Sequence, residues 1–206
     1  MPGLTPRDLE RIQAVTANYF FWQGLRWVPM GAALLAVGLY WSGWWRVPAP
    51  LGDAVQLGVL GLALAISAAL GSYYRRRFGA VHGIAGMHAR RERIKWVFVY
   101  PAMALSLVAD MVFAPPVLLS GFVWGAGILA YRRSTGGGRA HYLVAAPLLA
   151  AFGLLPLLGL MQPGKAAVNL FVAAVGIVFI IGGLLDHFEL GRILRPVPAT
   201  SDEAPV

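Results

Sequence analysis

Apolar residues run in six long stretches, and the short segments between them hold nearly all the charge. The stretches cover about 27–45, 54–74, 96–113, 117–131, 142–161 and 166–185. A bilayer core of roughly 30 Å takes about 20 apolar residues of helix to cross. The pattern therefore predicts an all-α integral membrane protein, a bundle of six transmembrane helices over 27–195. Only Ala114, Pro115 and Pro116 separate the third and fourth stretches. They read as a tight helical hairpin, because proline ends one helix and suits the first turn of the next.

Residues 1–26 carry a different pattern. Thr5, Pro6 and Asp8 make a helix start, and Ile12, Val15, Tyr19 and Phe20 recur at helical spacing among polar residues. This predicts an amphipathic helix lying at the membrane surface and leading into the first span. Residues 196–206 are polar and proline-rich, and read as a disordered tail.

Charge sets the orientation. Of 17 Lys and Arg, only Arg46 and Lys165 fall on one side of the alternating spans. The other side is cytoplasmic by the positive-inside rule, which places both termini in the cytoplasm. Composition agrees: 58% of the 206 residues are apolar and 13% charged. That balance excludes an ordinary soluble domain and a disordered chain. It also turns the net charge of +8 from a nucleic-acid signal into an orientation signal. The absence of cysteine excludes disulfides, thiol catalysis and Cys-ligated metals. The Arg- and Ala-rich composition points to the plasma (inner) membrane of a bacterium.

Ionisable residues inside a membrane are costly, so each is a functional candidate. Asp110 follows fourteen largely apolar residues of the third span and lies toward the outer side. With Asp53, Gln56, Ser120 and Asn169 at similar depth, it can line an outward-facing polar pocket for a solute or ion. The competing role for Asp110 is to cap the turn near Pro115, and for Asn169 to make one interhelical hydrogen bond. Gly121 with Gly125, and Gly61 with Ala65, are small-residue pairs that permit close helix packing, more often within a chain than between chains. Pro101, Pro147 and Pro156 are candidate kinks.

On the cytoplasmic side, Arg75, Arg76, Arg77, Arg90, Arg91, Arg93 and Lys95 can hold anionic lipid headgroups or a partner subunit. Asp186 and Glu189 share a helix face, and their expected role is to pair with neighbouring arginines at the membrane surface. His187 points about 100° away from Asp186, so no metal site is assigned. No cofactor or nucleotide motif is present, and Ser134 to Arg139 lacks the order of a phosphate-binding loop.

Two resemblances bear on function. Trp45-Arg46, Ser120-Gly121 and His187 resemble, in order, the parts of a rhomboid intramembrane protease. Depth refutes that match, because about 20 residues, or roughly 30 Å of helix rise, separate His187 from the level of Ser120. The size, basic charge, six spans and Ala32-x-x-x-Ala36 spacing resemble the substrate-binding components of energy-coupling-factor vitamin transporters. That resemblance implies a solute-binding membrane component docking on a partner. The expectation is a transport-related membrane protein with a polar pocket near Asp110. The alternative is a non-catalytic accessory or scaffold subunit docking through the basic loop. A lipid-modifying or intramembrane enzyme ranks third, since no catalytic grouping is evident.

Overall fold

The computed structural model describes residues 23–44, 51–78, 95–134 and 140–193. They form six α-helices, with no strand among the described residues. A 3-10 turn over Gly24–Arg26 enters α1 (Trp27–Trp41), which is followed by α2 (Leu51–Phe78). A π-helical turn over Lys95–Val99 runs into α3 (Tyr100–Phe113). Then come α4 (Leu119–Ser134), α5 (His141–Gly153) and α6 (Lys165–Ile193). Residues 1–22 of the predicted surface helix, Arg90, Arg91, Arg93, Trp45, Arg46 and the tail lie outside the described residues. For Arg77 and Lys95 only the backbone is described.

Each apolar stretch corresponds to one helix, but the helices are unequal. Two of them, over Leu51–Arg76 and Lys165–Arg192, are long and apolar enough to cross a membrane. The other four have 13 to 16 residues. At about 1.5 Å per residue they rise only some 20–24 Å. The shortening has local causes. Gly43 adopts φ +84° and turns the chain just after α1. In the fifth stretch, predicted as one helix to Met161, the Gly153 carbonyl accepts from Leu118 N–H (2.9 Å) rather than continuing the helix. Pro156 has no N–H to offer, and the chain proceeds through a series of turns from Leu154. Pro147 lies inside α5, and Pro101 falls in the first turn of α3.

The bundle closes through α1 against α6, running antiparallel. Glycine sets the closeness. Gly24, Gly31 and Gly38 recur every seven residues and meet Gly183, Gly176 and Ala173 in turn. A β-carbon at Gly31 would lie 2.7 Å from the Gly176 carbonyl oxygen, and one at Gly176 would lie 2.5 Å from Leu35 N. One at Gly38 would lie 2.6 Å from Ala173 N. The backbones therefore touch directly along the seam, the packing that small residues permit.

A second tight pair is α4 on α5. Gly121 sits against the Leu149 carbonyl and Gly153, and Gly125 against the Ala146 carbonyl. Around these seams Leu118, Ile128, Leu149, Val168, Phe171 and Val175 form the core. Phe171 takes Trp124 and Phe152 edge-on, at ring separations of 6.1 and 5.7 Å. Helix α2 is the exception. It packs on α1 and the turn before it, and only 17% of its apolar window is buried, against 44% for α6. Gly61 and Ala65 stand on its exposed side, and a β-carbon at Gly61 would meet nothing within 4 Å. They make none of the within-chain packing that their spacing allows.

Candidate functional site

Polar side chains gather at the two ends of the bundle. At one end Asp110, wholly buried, reaches from the last turn of α3 to the start of α4. Its Oδ1 accepts from Leu119 N–H and its Oδ2 from Ser120 N–H, both at 2.8 Å. A helix start leaves four N–H groups without partners and carries partial positive charge, so a carboxylate is well matched to it. Ala114, at φ +44°, turns the chain so that α3 can reach back in this way. Asp110 thus does the capping work, with both oxygens engaged by backbone. Ser120 Oγ is buried beside it and makes no hydrogen bond among the described residues.

The other outer candidates are used elsewhere. Asn169 donates from Nδ2 to the Trp41 carbonyl (2.9 Å) and ties α6 to the end of α1. Asp53 is exposed in the first turn of α2. Gln56 is half-buried, its Nε2 without a partner among the described residues. Asp110 and Asn169 therefore serve two separate junctions, α3 with α4 and α6 with α1, while Asp53 and Gln56 stand on α2.

The opposite end holds a richer set. Asp186 on α6 is wholly buried. Tyr142 donates its hydroxyl proton to Asp186 Oδ2 (2.9 Å), and His141 Nε2 lies 3.4 Å from Oδ1. His141 and Tyr142 open α5 side by side, with ring centroids 4.2 Å apart, and Tyr131 of α4 packs edge-on to Tyr142. The expectation that Asp186 lies at the surface is therefore corrected: it is enclosed. Gly24 is the reason, because a β-carbon there would lie 2.6 Å from that of Asp186. The entering chain closes over the carboxylate only because residue 24 has no side chain.

One position on, His187 faces another way, as the helical turn requires. Its Nδ1 is 2.8 Å from the Tyr74 hydroxyl, which also accepts from Leu25 N–H at 3.3 Å. The Tyr74 hydroxyl and His187 Nδ1 share one hydrogen bond, whose direction follows the His187 tautomer. Ser67 donates to the Arg26 carbonyl (2.8 Å), and the Arg26 guanidinium lies over Gly71 while donating to Gln23 Oε1 (3.1 Å). These polar ties fasten one end of the loosely packed α2. Tyr74→Phe is expected to speed hydrogen exchange along the second half of α2 by about tenfold, a loss of roughly 1.5 kcal/mol. The α1–α6 amides should stay protected; unchanged exchange in α2 would mean that apolar contact alone holds it.

No three His, Asp or Glu side chains gather into a metal-binding group among the described residues. Ser120 and His187 lie at opposite ends, each with its own neighbours, so no serine–histidine pair forms. Arg75 and Arg76 are exposed on the last turns of α2. The cluster around Asp186 is not evident from the sequence as a unit. Its signal was present, since His141, Tyr142, Tyr74 and Asp186 all fall at the same predicted depth. Comparison with protein-family models, curated proteins and solved structures gives no match.

Proposed function

We propose that the chain is a small transport-related protein of a bacterial plasma membrane, with six membrane-embedded helices and both termini cytoplasmic. The observation that carries this reading is Asp186. A fully buried carboxylate, held by a tyrosine and beside a histidine, sits at a three-way junction, and unlike Asp110 it is not taken up by capping a helix. Buried acid–histidine groups in membranes mark ion and proton pathways. The centre of the reading moves from Asp110, whose oxygens are taken up by the helix they cap, to the cytoplasmic end. Two helices of full crossing length and the outward-facing leucines of α2 support membrane placement. The basic residues around Arg75 and Arg76 suit anionic headgroups on the same side.

The test is flux. Purified protein in liposomes, with a trapped pH indicator and with radioactive sodium and rubidium as alternative probes, should pass at least one cation faster than empty liposomes. Asp186→Asn should remove the excess. Rates equal to those of empty liposomes for every probe would overturn the reading.

A second reading, an accessory subunit, is favoured by α2. Ala54, Gly58, Gly61, Ala65 and Ala68 are all exposed and follow one another at alternating spacings of four and three residues. They lie opposite the face that meets α1. A copurifying membrane subunit in native mass spectrometry of the same preparation would favour this reading over transport by the chain alone.

A further inference from the structure

The inner cluster can be taken one step further, resting on the membrane reading above. We propose that Asp186, His141 and Tyr142 form a proton-binding site, in which one proton is exchanged between the Asp186 carboxylate and the His141 imidazole.

Three features of the geometry point there. The first is a difference in access. Asp186 is 0% exposed, whereas the His141 side chain keeps 17% of its surface open. Nε2 and Oδ1 both lie buried, so only the remainder of the imidazole ring is open, and the carboxylate is wholly enclosed. The second is spacing. The Nε2 to Oδ1 separation of 3.4 Å is contact, but longer than the 2.7–2.9 Å of a charge-assisted hydrogen bond. A small rotation of His141 makes or breaks that bond. The third is asymmetry. Tyr142 donates to Oδ2 alone, so Oδ1 is the oxygen turned toward His141.

The transfer balances within the pair. As the N–H bond at His141 Nε2 breaks, an O–H bond forms at Asp186 Oδ1. An imidazolium and a carboxylate become a neutral imidazole and a neutral acid, and the net charge stays at zero on both sides. Full release of the proton to water leaves a single negative charge at the buried site. That is the costly state in a low-dielectric surrounding, so it is the state that Tyr142 and nearby cations must support.

The entering turn brings Arg26, held toward Gln23 and α2, and closes over Asp186 with Gly24. From α4 come Tyr131, against Tyr142, and Arg132 next to it in sequence. From α6 itself come His187, turned to Tyr74 of α2, and Glu189, one turn on.

The site is testable without any gradient. In lipid nanodiscs, pH-difference infrared spectroscopy of the whole protein should show a protonated-carboxyl band that appears on acidification and is absent from Asp186→Asn. His141→Gln removes the exchange partner but leaves the carboxyl in place. It should move the midpoint of that band. This second variant keeps the test decisive if Asp186→Asn folds poorly. A wild-type band that survives Asp186→Asn, or a midpoint unmoved by His141→Gln, would overturn the site. The two readings fail separately. A titrating Asp186 in a protein that passes no cation keeps the site and ends the transport reading, whereas flux without the band ends the site alone.

Discussion

Gly31→Leu is expected to leave no folded bundle, and Gly31→Ala to lower stability by about 3 kcal/mol, at the upper end of usual overpacking costs. The β-carbon of either residue would lie 2.7 Å from the Gly176 carbonyl oxygen and 2.9 Å from both Ile180 N and the Phe179 β-carbon. Two of these three neighbours are backbone atoms of α6, so no side-chain rotation relieves the clash. The helices must part, and the contacts of α1 along the whole seam weaken with them. Gly61→Ala is the matched control. Nothing lies within 4 Å of its β-carbon. Alanine there gains helix propensity of up to about 1 kcal/mol, so the variant should be neutral or slightly more stable. Denaturant unfolding in detergent, followed by tryptophan fluorescence, reads both. Equal midpoints for Gly31→Ala and wild type would show that the seam has more slack than these distances allow.

Asp110→Ala is the second large effect, again about 3 kcal/mol, because hydrogen bonds to a charged acceptor are worth roughly 1.5–3 kcal/mol each and both are lost together. Ser120 N–H would be left buried, and Leu119 N–H part-buried, without the acceptors they have now. Asp110→Asn should lose about half as much, since its amide oxygen can still accept from one of the two. The graded series distinguishes a cap from an ion site. A cap predicts stability falling in the order Asp, Asn, Ala. An ion site predicts two variants equally inactive and equally stable. Ser120→Ala completes the set: its hydroxyl has no partner to lose, so its removal should cost little.

How much of this was readable beforehand differs from residue to residue. The order and placing of the six helices follow from alternating apolar stretches and charged connections, because both reflect burial that is local in sequence. The capping role of Asp110 was in view as one of two options, and the proline pair pointed to it. The early end of α5 was not, because it depends on Leu118, 35 positions earlier, taking the Gly153 carbonyl. The seven-residue spacing of Gly24, Gly31 and Gly38 stands openly in the sequence. In a chain with 25 glycines it carries no special weight until a partner helix is found at the same spacing. The enclosure of Asp186 depends on a glycine more than 160 positions away, which no local pattern reports.

The pairing of α1 with α6 has a consequence for how the protein is made. Of the six helices, α1 is synthesised first and α6 last, yet these two form the tightest seam. During translation α1 must wait, its glycine stripe uncovered, while four other helices emerge and α4 and α5 have already found each other. The early hairpins can assemble as they appear; the bundle itself closes only at the last step. A ribosome that stalls within α6 therefore leaves a chain whose α1 keeps a bare stripe of backbone with nothing to close against.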